Sequence, residues 1–175
     1  MPTPVTTTKS LTELGTANPD FIAYTSNLAV QTNSFTLIDN IIIDDGETLF
    51  INAEFTIAEG VYIYNKGTFF ITNPIIVNNG GVFVNEGLLK GSNREEKFYT
   101  KSGGYFFNLN ENQIGGGSSG DNTYLYKFVP ELGSTCVDVK STLNLARYNY
   151  NYGEYIPNYT GDVPPKTPTT PTSSL

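Results

Sequence analysis

Few residues in this chain are equipped for chemistry, and their spacing limits what they could do. Asp44, Asp45 and Glu47 crowd one turn, with Asp39 close by. Carboxylates at a turn are hard oxygen donors suited to Ca²⁺. Their spacing fits no calcium loop, so a solvated acidic corner is expected. Gly115, Gly117 and Gly120 spell a dinucleotide-binding turn, but that turn needs a strand before it and a helix after it. A polar loop precedes them, and Asp121-Asn122-Thr123 opens another strand-like run. The expectation is a plain loop and no cofactor. The chain has no His, which removes the commonest general base and the commonest transition-metal ligand. Cys136 is the only Cys, which leaves neither an internal disulfide nor a cysteine zinc site. Polysaccharide cleavage would want paired carboxylates along one face, and no acidic pair repeats at one-coil spacing on a strand. The expectation is therefore no catalytic residue, no metal and no enzyme. Asn158-Tyr159-Thr160 is a single glycosylation sequon, read as incidental because no signal-type stretch precedes it.

Composition points the same way. The 175 residues carry 10 Lys+Arg against 17 Asp+Glu, a formal charge of −7. That balance argues against a phosphate backbone or an anionic membrane as partner. Charged residues are only 15% of the chain, while Gly contributes 17, Tyr 12 and Phe 11. Such a composition makes turns and strands rather than helices. No apolar run approaches the roughly 18 residues of a membrane-spanning helix, and the opening MPTPVTTTKS is not of signal-peptide type. A protein made in the cytoplasm, not inserted in a membrane, is expected.

The elements that must position these residues show in a repeat. Between Phe35 and Leu89, apolar-x-apolar triplets are divided by Asn, Asp, Gly and Pro. They are Phe35/Leu37, Ile41/Ile43, Leu49/Ile51, Phe55/Ile57, Val61/Ile63, Phe69/Ile71, Ile75/Val77 and Val82/Val84, then Leu88. Period-2 alternation marks strands. Every third triplet recurs at about 20 residues: Phe35, Phe55, Ile75; Ile41, Val61, Val82; Leu49, Phe69, Leu88. Three interleaved series with one period predict a solenoid whose turns have three faces. The fold class is all-β: a three-faced parallel β-helix of about three coils over 35–91, with the triplet ends facing inward. An antiparallel meander also alternates, but has no reason to keep three series in register.

The flanks read differently. Residues 1–34 form an irregular N-terminal arm and first cap, with Leu28 beginning the first coil. Residues 92–160 form a small β-rich cap or subdomain containing the cluster Tyr148, Tyr150, Tyr152 and Tyr155. Residues 161–175 are a Pro/Thr-rich tail whose composition favours extended polyproline II. Residues 1–20 and 160–175 are expected to be extended and to make few contacts with their own core.

Between the inward positions stand Phe50 and Phe70 on one face, and Ile42, Tyr62 and Phe83 on another. Pleating turns intervening residues outward. Apolar ladders on an outer surface mark a contact site. These five residues, with Tyr148, Tyr150, Tyr152 and Tyr155, are the candidate partner-binding set.

Low charge, Asn/Thr/Tyr/Gly richness, short β-coils over 35–89 and a Pro/Thr arm together resemble structural proteins of virus particles. The likeness is to minor capsid or cement proteins of large DNA viruses, with phage fibre and decoration proteins next. It spans the chain in style and carries no functional residue across. It implies a non-enzymatic virion component that bridges capsid subunits, with other particle proteins as partners and neither nucleic acid nor membrane. The alternative is a fibre or surface module that binds a receptor or glycan as a trimer. Mass in solution separates the two.

Overall fold

A computed structural model describes residues 8–24, 27–30, 32–91, 97–111, 127–143 and 153–164. The turns of one solenoid stack along three sheets. Sheet A contains β4 (Ile41–Ile43), β7 (Tyr62–Asn65), β10 (Val82–Asn85), β13 (Tyr105–Asn108), β15 (Thr135–Asp138) and β16 (Glu154–Pro157). Sheet B contains β1 (Phe21–Tyr24), β2 (Asn27–Val30), β5 (Thr48–Ile51), β8 (Thr68–Ile71) and β11 (Leu88–Gly91). Sheet C contains β3 (Ser34–Leu37), β6 (Glu54–Ile57), β9 (Ile75–Val77), β12 (Lys97–Thr100) and β14 (Lys127–Pro130). Neighbours within each sheet run parallel, as expected of a chain that winds one way round a core. The antiparallel pair β1–β2 at the N-terminal end is the exception among them.

The expected pairing of Phe35, Phe55 and Ile75 is present in sheet C. Leu28 aligns with Leu49, so the first coil does begin in β2. The core is a set of vertical ladders, including Leu28, Leu49, Phe69 and Leu89 in sheet B. Each fully buried aliphatic or aromatic side chain contributes about 1.5–3 kcal/mol.

Two assignments differ from expectation by one residue. In sheet A, Ile63 pairs with Ile41 and with Phe83, so Phe83 faces inward and is fully buried. Val82 and Val84 point outward, into a second apolar cluster. In sheet B, Leu89 rather than Leu88 continues the Phe69 ladder. The steps from Ile63 to Phe83 and from Phe69 to Leu89 are both 20, while Ile41 pairs with Ile63, 22 residues on, and not with Val61 as its series predicts. A slip of one residue exchanges the two faces of a strand.

The solenoid also does not stop at Gly91. Strands β12 to β16 stack in parallel on the earlier coils and bring it to about five turns. The corner column shows the continuity. Gly60, Gly80, Gly103 and Gly133 have φ of 75°, 74°, 77° and 84°, a region that only glycine enters without strain. The Gly80 N–H donates to the Gly103 carbonyl, and the Gly103 N–H to that of Gly133, both at 2.9 Å.

The N-terminal arm is not irregular where it is described. Helix α1 (Leu11–Ala17) starts at Ser10, whose Oγ accepts from the Glu13 N–H at 3.2 Å. Such a cap satisfies one otherwise orphaned backbone donor. Leu11 and Leu14, one turn apart, are buried in the core, and Lys9 bridges to Ile41 at the edge of sheet A. A solenoid needs its open apolar end closed, and this short helix closes it.

Candidate functional site

The acidic corner is spent on its own turn. The Asp44 N–H donates to Glu47 Oε1 at 2.7 Å, and the Asp45 N–H to Asp44 Oδ1 at 2.9 Å. Among the described residues no group of three His, Cys, Asp or Glu is placed to hold a metal ion. The Gly115–Gly120 stretch and Tyr148, Tyr150 and Tyr152 lie outside the described residues.

The densest polar cluster is inside the solenoid, where one sheet A corner turns. Asn65, Asn85, Asn108 and Asp138 occupy one column and are fully buried. Asn65 Nδ2 donates to Asn85 Oδ1 at 2.9 Å, and Asn108 Nδ2 to Asp138 Oδ1 at 3.0 Å. Asn85 Nδ2 donates within its own turn, to the Gly87 carbonyl at 3.2 Å, so these bonds link Asn65 to Asn85 and Asn108 to Asp138, and the aspartate is saturated. Asp138 Oδ1 also accepts from the Thr142 N–H at 3.2 Å, and Oδ2 accepts from the Leu143 N–H at 3.0 Å and the Tyr155 hydroxyl at 2.7 Å. A buried carboxylate with every lone pair engaged holds structure rather than substrate. Beside it the Cys136 thiol is fully buried, and burial followed by the Asp138 charge pushes its pKa well up, which keeps it an unreactive thiol.

Tyr155 therefore belongs to this interior. It aligns with Cys136 and packs against the main core, so it is not part of an outward tyrosine platform. The reason is register: the last strand continues the Ile63–Phe83–Phe106–Cys136 ladder. The sequence signal was available in the Cys136-to-Tyr155 step of 19, close to one coil.

The outer faces differ from one another. On sheet A, Tyr62, Tyr64, Val82, Val84, Phe107 and Val137 form a second buried cluster. Ile42, Tyr159 and Val163 pack against it half-buried. Tyr62 does point outward, as expected, yet it is 2% exposed. The chain's own residues cover this face, including part of the C-terminal segment expected to reach away. On sheet B the aromatic row stays accessible. Ile22, Ala29, Phe50 and Phe70 align across four strands, and Lys90 follows them. Phe50 and Phe70 are half-buried with ring centroids 5.2 Å apart, and Ile22 is 43% exposed. Sequence reading found the two rings but missed Ile22, which reaches this row through the antiparallel hairpin.

Three phenols carry a pH consequence. Burial raises the pKa of Tyr62, Tyr64 and Tyr155 well above the ordinary phenol value of about 10, helped by Tyr64, Glu86 and Asp138 respectively. The protonated phenol is the form that the fold favours. Its contribution is complete below about pH 10 and is lost as pH rises through the folded-state values. Urea midpoints are expected to be insensitive to these groups from pH 7 to 9 and to fall above pH 10. Replacing Tyr64 and Tyr155 by Phe should flatten that alkaline limb, and an unchanged limb would contradict this assignment.

No family model, no curated protein and no solved structure matches this chain. What the geometry defines is a class: a parallel β-solenoid with a helix-capped N-terminal end, one self-covered outer face and one open aromatic row.

Proposed function

We propose that this protein is a non-enzymatic structural subunit that joins a larger particle through the outer face of sheet B. The accessible side chains Ile22, Phe50 and Phe70 carry the reading, with Ala29 buried between Ile22 and Phe50. The two rings pack on each other yet stay half-exposed, and apolar area left open on an outer face suits a contact. Docking completes the burial of each half-exposed ring for about 1–2 kcal/mol. That is weak for one copy and sufficient where the contact repeats across a lattice.

Within this reading the particle is a virion and the protein a minor capsid or cement component that bridges capsid subunits. The support is the low charge, the Asn- and Tyr-rich composition, the compact solenoid and the Pro/Thr tail. The partners are other particle proteins. The net charge of −7 disfavours nucleic acid as the ligand. Ile42, Tyr62 and Phe83 have no part in this surface, since they lie under the chain's own residues or in its core.

The test changes Phe50 and Phe70 together to Ser. Cooperative unfolding should persist with a modest drop in midpoint, while incorporation into particles falls at least tenfold. A folded double variant that incorporates at the wild-type level would exclude this face. A stable trimer of the isolated chain would favour a fibre or receptor-binding module instead.

A further inference from the structure

Residues 158–164, which follow β16, fold back against the outer face of sheet A. Tyr159 sets its ring edge-on against Phe107, with centroids 6.5 Å apart. Val163 packs into the same cluster. The segment is braced within itself: the Tyr159 hydroxyl donates to the Asp162 carbonyl at 3.0 Å. A Cβ on Gly161 would collide with that ring, so the fold-back needs glycine there. Residues 158–164 add no strand ladder to the sheet. Asn158, Thr160, Gly161 and Asp162 are exposed, so Tyr159 and Val163 are the apolar anchors.

The turn ahead of this segment is left-handed. Asn158 has φ of 51°, a left-handed value few residues adopt, and its N–H donates to Ser141 Oγ at 2.9 Å. Asn is among the residues that tolerate this region best.

We infer that the sheet A face is a docking groove for a Tyr-x-Gly-Asp-Val segment, filled by the chain's own residues 159–163 in isolation and by the same residues of a second copy in the assembled state. An exchanged segment remakes the same contacts, so the two arrangements differ only in hinge conformation and in effective concentration. The hinge residue therefore sets the balance. This inference does not depend on the sheet B surface or on the particle being viral.

The experiment reads oligomeric state by light scattering over a hundredfold range of full-chain concentration. Asn158→Val, which penalises the left-handed hinge, should raise the dimer fraction at least fivefold over the wild type. Asn158→Gly, which relaxes the hinge, should lower it. Adding Tyr159→Ala to Asn158→Val should abolish the gain. A synthetic peptide of residues 157–175 is also titrated against the full-length Tyr159→Ala/Val163→Ala variant, whose own segment is disabled. Saturable binding of that peptide, and none of a peptide carrying Tyr159→Ala, is expected. Equal dimer fractions for the Val and Gly variants would overturn the exchange, and absence of peptide binding would overturn the groove.

Discussion

Replacing Ile63 by Asp is expected to abolish the cooperative fold. Ile63 is fully buried between Ile41 and Phe83 in the sheet A ladder. The substitution removes about 1.5–3 kcal/mol of apolar burial and strands a carboxylate where nothing on the neighbouring turns can pair with it. An unpaired buried charge costs several kcal/mol more, and the sum approaches the 5–15 kcal/mol, roughly, that holds a whole domain. Circular dichroism during a urea titration should show no folded baseline. Thr36→Asp provides the control, because Thr36 is exposed on the outer side of β3. If Ile63→Asp unfolded no more easily than Thr36→Asp, the register of the central turns would be wrong.

The second large effect belongs to Asp138. Replacement by Ala leaves Asn108 Nδ2, two backbone N–H groups and the Tyr155 hydroxyl without the acceptor they now share. Each buried donor left unmatched costs about 1–3 kcal/mol, with part recovered by relaxation and entering water. A net loss of about 3–5 kcal/mol is expected, a large fraction of the roughly 5–15 kcal/mol that holds an ordinary domain. Asp138→Asn should cost less, about 1–2 kcal/mol. It keeps one acceptor oxygen for Asn108 and Thr142, and the Tyr155 hydroxyl can turn to accept from the new amide, but the Leu143 N–H loses its partner. Chemical denaturation of the two variants ranks them. Equal stability of Asp138→Ala and wild type would mean that the column of side chains does not bind the last turns together.

These two positions also separate what could be read from residues alone. Ile63 was legible because it lies in a triplet whose neighbours recur at one period. Asp138 was not, because its role depends on stacking against Asn108 across a gap of 30 residues, half again the length of a coil. Each turn of a solenoid touches only its neighbours, so extra residues looped out at a corner leave the stack intact while erasing the period in the sequence. The step from Ile75 to Phe98 is 23 and the step from Phe98 to Phe128 is 30, so the period of 20 stops in the sequence at Gly91 while the coils continue.

The sequence by itself determined the all-β class, the parallel winding, the three faces and most inward residues, because alternation and a fixed period are local properties that survive without coordinates. Only the tertiary structure decided the parity of β10 and β11, where Phe83 and Leu89 rather than Val82 and Leu88 enter the core. Alternation gives two faces but not which one is inside; the stacking of Phe83 on Ile63 and of Leu89 on Phe69 decides that. Tertiary structure alone also decided which outer face is open. Tyr62 and Phe50 look alike as outward aromatics, yet the cover over sheet A leaves Tyr62 buried, while the row on sheet B stays accessible. Solvent exposure of an outward residue depends on what the rest of the chain lays over it, and no spacing along the strand encodes that.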